Sequence, residues 1–542
     1  MSGVKRAVGA VVTGVLALSL AAGVGLAGLL LPDSDLARPE MALNAGAVSS
    51  SEGRAAMVCL GGIERSVATG VNVAQADEKI RSFSGALLTG VTPAVALTRW
   101  QTLTGKTPAK ATAGGSSGAN GSTSVGSAGR DTGNAVTTAV IDGAFTSKTG
   151  LGTAALTGAA SINRAAGQEA LLMGGTAHVA SAGDLRGLAY VPCAWPTNSL
   201  WLVGSASTVG TSNRLVLSNP TLTSVQVKIR AFTSLGEASL GTSSLVALPP
   251  QTIRSISLDG LVNDDDTIAF FLAAEAGQFT AALQTNTLSG FTPAGIDMIS
   301  AGREGRSVVI PGLVLPAGNV NLGGIKSATE TGKSALVDSA VKAGVRIVNP
   351  SDQMLIASVE LIGADGKARA LSGGSNVKLI SGGVLELSLD GVQPGAYAVR
   401  VSADGPVAAG AFVRYDAGAA GKDVAWLASQ GTVTNAGAAV GIGTAQLVVV
   451  PALNTNQVRE AAFTWKAFDA KGKQIAEKKV SAKGTVAVAL PSGTAYVSVN
   501  SAAPVYAAIS GQADLGNGVG IAWAPLSQTG ANTSTTRVLF AN

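Results

Sequence analysis

The sequence is poorest in the residues that usually carry chemistry. Of 542 residues one is histidine, two are cysteines and 4% are aromatic; charged residues reach only 13%. A single histidine excludes histidine-based metal centres, which draw on several ligands. The low charge excludes charged disorder and coiled coils. Lys and Arg number 38 against 33 acids, and the excess reads as thinly spread. Nucleic-acid binding, which asks for clustered cations interleaved with stacking rings, is not expected. What remains is a chain 46% hydrophobic with 70 glycines, able to build large cores from Val, Leu, Ile and Ala.

The start of the chain is its clearest segment. Lys5 and Arg6 precede an uncharged run from Ala7 to Leu31, closed by Pro32, Asp33 and Asp35. About 20 apolar helical residues cross a bilayer, so residues 1–36 read as a cytoplasmic stub and membrane anchor. Charge placement puts the remainder outside. A signal peptide cleaved near Ala22 or Ala37, with secretion, is the alternative. Ala17, Ala21 and Gly25 read as ordinary filler of such a helix, although that spacing also suits helix pairing.

Two motif matches fail on context. Gly23–Gly28 fits G-x-G-x-x-G but lies inside the apolar run rather than in a βαβ unit. Gly114–Gly118 fits G-x-S-x-G but sits in low-complexity sequence.

Cys59 and Cys193 are an even pair in an exported chain and are expected to form a structural disulfide. The bridge would tie Met57-Val58-Cys59 to Tyr190-Val191-Pro192-Cys193 across a Gly/Ser-rich loop at 104–134.

From residue 199 onward the chain reads as all-β. Val225, Val227 and Ile229 alternate with Gln226, Lys228 and Arg230, the period of a strand with one wet face. A weak helical period shows at Ala74–Arg81. Repeats reinforce the β reading. Leu217-Ser-Asn219-Pro220 answers Ile347-Val-Asn349-Pro350, and Ser257-Leu-Asp259-Gly260 answers Ser388-Leu-Asp390-Gly391. A looser copy follows, in which Ala425-Trp426-Leu427-Ala428 matches Ala522-Trp523-Ala524-Pro525. The expectation is tandem Ig-like β-sandwich modules at 54–198, 199–300, 307–429 (with an insertion at 318–343) and 440–542. A β-propeller is the alternative. Arg537–Asn542 resembles the strand before each Asn-Pro turn and is expected to complete an earlier module.

The order of anchor, Cys59, long loop, Pro192-Cys193, Leu200-Trp201-Leu202-Val203-Gly204 and Leu217-Ser-Asn219-Pro220 resembles a family of actinobacterial envelope proteins. That resemblance implies an extracytoplasmic place and supplies no catalytic residue.

Candidate chemistry is sparse. His178 lies in an alternating, strand-like segment with no nucleophile motif nearby. Asn263-Asp264-Asp265-Asp266 is the densest acidic stretch but lacks the spacing of a calcium loop. Asp297, Glu304 and Asp423 lie near module junctions and are the candidate carboxylates for glycoside hydrolysis. No catalytic, cofactor or metal residue is assigned. The reading is a non-catalytic envelope scaffold held in the membrane. The alternatives are a binding or accessory subunit for a wall polymer or membrane complex and, more remotely, a cell-wall hydrolase.

Overall fold

The computed structural model describes residues 55–60, 63, 80–89, 95–100, 155–160 and 171–528, the last span interrupted at 222, 251, 263, 317–339, 417–420, 442, 453–459 and 517. All of them belong to one compact unit, residues 53–532. The expected anchor at 1–36, the loop at 104–134, most of the insertion at 318–343 and the strand at 537–542 lie outside the described residues. Among the described residues no helix is long and apolar enough to cross a membrane.

The described chain is all-β, as the alternation requires, and one strand topology recurs four times. In the first copy, β1 (Ala55–Cys59), β4 (Ala155–Ala160) and β3 (Val95–Trp100) form one sheet. A second sheet joins β2 (Ile80–Thr89), β5 (Leu171–Ala180) and β6 (Gly187–Pro192). Ile80 and Arg81, at the end of the weak helical period, start a strand paired with β5; the rest of that segment, 74–79, lies outside the described residues.

The second copy has the same plan with more strands. Its first sheet runs β10 (Gly236–Ala238), β9 (Val225–Thr233), β13 (Ala269–Ala274), β7 (Ser199–Val203), with β11 (Leu245–Leu248) also on β9. Its second runs β12 (Thr252–Ser257), β8 (Thr211–Asn219), β14 (Thr280–Ser289), β15 (Thr292–Ile299).

The third copy comprises β16 (Glu304–Leu315), β17 (Ala340–Val348), β18 (Leu355–Ile362), β19 (Ala368–Ala370), β20 (Val377–Leu379), β21 (Val384–Ser388), β22 (Gly395–Asp416) and β23 (Lys422–Ala428). The fourth comprises β24 (Val433–Ala439), β25 (Thr444–Pro451), β26 (Ala461–Phe468), β27 (Gln474–Ala482), β28 (Val486–Ala489), β29 (Tyr496–Asp514), β30 (Val519–Pro525) and the short β31 (Ser527–Gln528). In both, one long strand replaces the β13–β14 pair. The first half of β22 joins β16 and β18, and its second half joins β17 and β23. β29 does the same with β24 and β26, then with β25 and β30.

The second copy packs two sheets around a shared core, and the third and fourth each fold one sheet along its long strand around a core of their own. In the second, Leu200, Leu202, Val227, Ile229 and Phe270 of one sheet meet Leu215, Leu217, Ala281 and Leu283 of the other. The alternation in β9 is borne out: Val225, Val227 and Ile229 are buried while Gln226 and Lys228 are exposed. The propeller alternative does not hold. The second repeat carries two sheets around one core, the third and fourth each fold one eight-stranded sheet back on itself along a long strand, and the sheets do not close into a propeller.

The repeated Asn-Pro pairs do more than turn the chain. Asn219 is fully buried and its Nδ2 donates to the carbonyls of Thr223, Leu248 and Pro249, at 2.8, 3.0 and 2.9 Å. Its Oδ1 accepts from the Thr221 N–H and hydroxyl. Asn349 repeats this clamp on Gln353, Leu379, Ile380 and Ser351. A buried amide bonded at both ends fixes two turns at once.

The copies are tied in a ring through equivalent strands near their C-terminal ends. β6, β15, β23 and β30 pack in the cyclic order β6–β15–β23–β30–β6. Each sends a large side chain into the core of a neighbour. Met298 joins Val58 and Leu60 of the first copy. Trp426 joins Leu202 and Phe270 of the second, and Trp523 joins Ile310 and Val413 of the third. Tyr190 closes the circle in the core of the fourth, with Leu447 and Ile509. Burying a large apolar side chain contributes about 1.5–3 kcal/mol, so each copy is completed by the next.

Candidate functional site

The inner strands carry a fourfold sequence pattern: Gly187-Leu-Ala-Tyr190, Gly295-Ile-Asp-Met298, Asp423-Val-Ala-Trp426 and Gly520-Ile-Ala-Trp523. Three copies have glycine at the first position and the third has aspartate. The reason is steric. A Cβ on Gly187 would stand 2.6 Å from Asp423 Oδ1, and one on Gly295 would stand 3.0 Å from the same oxygen. A Cβ on Gly520 would stand 2.8 Å from the Leu188 Cβ, while Gly187 and Gly295 make room for the one side chain, Asp423, where the four strands meet.

That side chain binds all four. Asp423 Oδ2 accepts from Leu188 N at 3.0 Å and from Ile521 N at 2.8 Å. Oδ1 accepts from Ile296 N at 3.2 Å, and the Val424 N–H of its own strand adds a fourth bond. The carboxylate is fully buried. Burial pushes its pKa up to about 7, against the backbone donors that favour the charged form. Arg186, 4% exposed, donates from Nη1 to the Lys422 carbonyl at 3.1 Å. Burial lowers its pKa while the charge of Asp423 raises it.

Asp297 makes a second tie beside the first. Its Oδ2 accepts from Trp426 N at 2.6 Å and its Oδ1 from Met298 N at 2.8 Å, so it staples the second copy to the third. Burial holds this carboxyl well above the usual carboxylate range; the two N–H donors pull it down, and the nearby Asp423 charge raises it further.

The structure thus brings together two of the three candidate carboxylates. Glu304 stands apart, with its Oε2 accepting from Trp201 Nε1 at 2.8 Å. Acid–base work on a glycoside needs carboxyl oxygens facing a cleft. Those of Asp297 and Asp423 face backbone N–H groups in the interior. The crevice lined by Gly312, Tyr415, Gln512 and Trp523, between the third and fourth copies, contains neither of them.

His178 lies in β5, as its alternation suggests, and is fully buried. Burial lowers its pKa to about 4, so the ring is neutral at neutral pH. Neither ring nitrogen has a hydrogen-bond partner among the described residues. Of the acidic stretch, Asp265 binds Ser234 and Thr267 and orders a loop, while the Asp266 carbonyl accepts from Arg346 Nη2 at 2.6 Å. Among the described residues no group of three acidic, His or Cys side chains is placed to hold a metal ion.

Val58 and Ala194 exchange two backbone hydrogen bonds, at 2.9 and 2.8 Å. In an antiparallel pair the next residues inward, Cys59 and Cys193, fall on the closely spaced non-hydrogen-bonded positions. Cys193 is buried and is not a free thiol; the Cys59 side chain lies outside the described residues. The same edge meets the fourth copy, where Ser527 Oγ donates to the Cys193 carbonyl and Trp195 Nε1 to the Gln528 carbonyl.

These features define an all-β repeat protein whose copies are joined at a buried carboxylate hub. The chain belongs to DUF5719, a family of unknown function, whose model matches residues 144–491. No curated protein matches it. Among solved structures, a Streptomyces avermitilis alpha-L-rhamnosidase complexed with L-rhamnose aligns at 10% identity over 65% of this chain, with a TM-score of 0.11. The chain spans 50% of that enzyme's length, and at this score the alignment supports no statement about fold or activity.

Proposed function

We propose that this protein is a non-catalytic scaffold of the cell envelope, held in the membrane by its first 36 residues with the β-repeats on the outer side. The observation that carries the reading is the hub itself. The two buried carboxylates that come together are saturated by backbone donors from different copies, which makes them locks between repeats. The uncharged run Ala7–Leu31 behind Lys5 and Arg6 supports the anchor. Within this reading Cys59 and Cys193 form a disulfide that fastens the first strand of the ring beside its seam with the fourth copy. The facing backbone positions and the bonded state of Cys193 support that pairing. The test is protease added to intact protoplasts. The reading expects the repeats to be cut while cytoplasmic markers survive; a fully shielded chain would overturn it.

A further inference from the structure

Six of the chain's 18 lysines fall within the 18 residues Lys466–Lys483, and the fold puts them on one hairpin edge. Among the described residues β27 bonds only to β26, which leaves one side of its backbone without a strand partner there. Lys466 is paired with Glu477 at 3.5 Å and Lys483 with Glu460 at 4.0 Å. Lys471, Lys473, Lys478 and Lys479 are exposed and have no ion pair among the described residues.

The second and third copies show that this edge is not merely a guard against aggregation. Lysines do protect edge strands, but so does shortness. The equivalent β10 and β19 have three residues each. Their charges are matched, Arg230 by Glu237 and Arg369 by Asp365. Of the three described strands at this position, the one in the fourth copy lengthens to nine residues and carries cations in excess.

We infer that the β26–β27 edge is a docking line for a linear polyanion, an anionic polymer of the wall. At ~3.3 Å per residue the strand offers a track about 30 Å long. The register decides between a polymer and a membrane. Lys478 lies opposite Trp465 on the core-side face, whereas Lys479 lies opposite Thr464 on the other. Charges flank the strand on both sides, so a chain lying along the edge meets both sets and a flat bilayer meets one. The backbone N–H groups on the side of β27 without a strand partner among the described residues add donors along the same line.

The inference rests on the extracytoplasmic reading only for where the polymer is met; binding by purified protein is separate from protease exposure in protoplasts. The experiment titrates the full chain with polyphosphate and, separately, with vesicles of anionic phospholipid, at several salt concentrations. The expected result is polyphosphate binding that weakens with salt and vesicle binding that is weaker. The quadruple variant K471Q/K473Q/K478Q/K479Q keeps the wild-type melting temperature, loses at least tenfold in affinity, and has a log–log salt slope reduced by about three. The double variant K367Q/K378Q in the third copy binds as the wild type does. No polyphosphate binding at low salt, an unchanged quadruple variant, or tighter binding to vesicles than to polymer would each overturn the inference.

Discussion

The Asp423 carboxylate accepts a hydrogen bond from the Leu188 N–H at 3.0 Å, across 235 residues of chain. With Ile296 and Ile521 bound to the same side chain, three remote strands depend on one buried group. Replacing Asp423 with alanine leaves those N–H groups without an acceptor in a dry interior. A buried donor left unsatisfied costs about 1–3 kcal/mol, so losing the acceptor of three such donors costs on the order of 3–5 kcal/mol. Chemical denaturation of D423A is expected to show a loss of that size. A loss under about 1 kcal/mol would mean that water or a small shift replaces the carboxylate.

The glycines around the hub are expected to couple to it. G187A places a methyl group 2.6 Å from Asp423 Oδ1 and equally near the Ile296 side chain, at a φ of +151° that favours glycine. The variant is destabilised. In the D423G background the same change costs less, because one of the two collisions is gone. A double-mutant cycle reads the difference; strict additivity would place the methyl group elsewhere.

Acid and base act on two of the buried titratable groups, Asp423 and His178, in opposite senses. Asp423 has its folded pKa raised from 3.8 to about 7. Its contribution is therefore fully present below pH 3.8 and lost as pH rises through 7, a swing on the order of 4 kcal/mol. His178 is lowered from 6.5 to about 4, so the unfolded chain binds its proton more tightly and stability falls as pH drops from 6.5 to 4. The stability of D423N relative to wild type is expected to improve between pH 4 and 8, and H178L is expected to flatten the acid side of the profile. Parallel profiles for wild type and both variants would contradict these assignments.

Much of this architecture is legible in the chain. Val225, Val227 and Ile229 declare their face because period-two burial leaves a direct mark on sequence, and the Asn219 and Asn349 repeats persist because the clamp needs that amide. The hub leaves a weaker mark. Its fourfold position is Gly187, Gly295, Asp423 and Gly520, and the residue that matters is the one that breaks the pattern. The match of Ala425-Trp426 to Ala522-Trp523 gives half the ring; Tyr190 and Met298 fill the same role with different chemistry and hide the other half. Asp297 and Asp423 are visible as candidates near module junctions, but their saturation by backbone donors is a tertiary fact. The lysine edge is lost for another reason: charge averaged over 542 residues looks thin, while Lys466–Lys483 is dense.

Trp523 spans two copies, with its ring among Ile310 and Val413 and its Nε1 donating to the Pro311 carbonyl at 2.9 Å. Removing a buried aromatic costs about 3–5 kcal/mol. W523A is expected to lose that much in denaturant melts, and W523F less, since it keeps most of the packing and gives up the hydrogen bond. Equal losses would assign the role to the hydrogen bond alone.

The proposed Cys59–Cys193 bridge closes a loop of about 130 residues, worth roughly 4–5 kcal/mol on the chain-entropy model. Intact-mass analysis after alkylation without reductant is expected to show no modified thiol, and reductant is expected to lower the melting temperature. Two alkylated cysteines in the unreduced protein would remove the bridge from the account.

Amide hydrogen exchange of the wild type and D423A tests the ring most directly. The account predicts that Leu188, Ile296 and Ile521, in three separate copies, are strongly protected in the wild type and lose protection together when this one side chain is removed. Unchanged protection at all three, or loss at Leu188 alone, would contradict a ring held at Asp423.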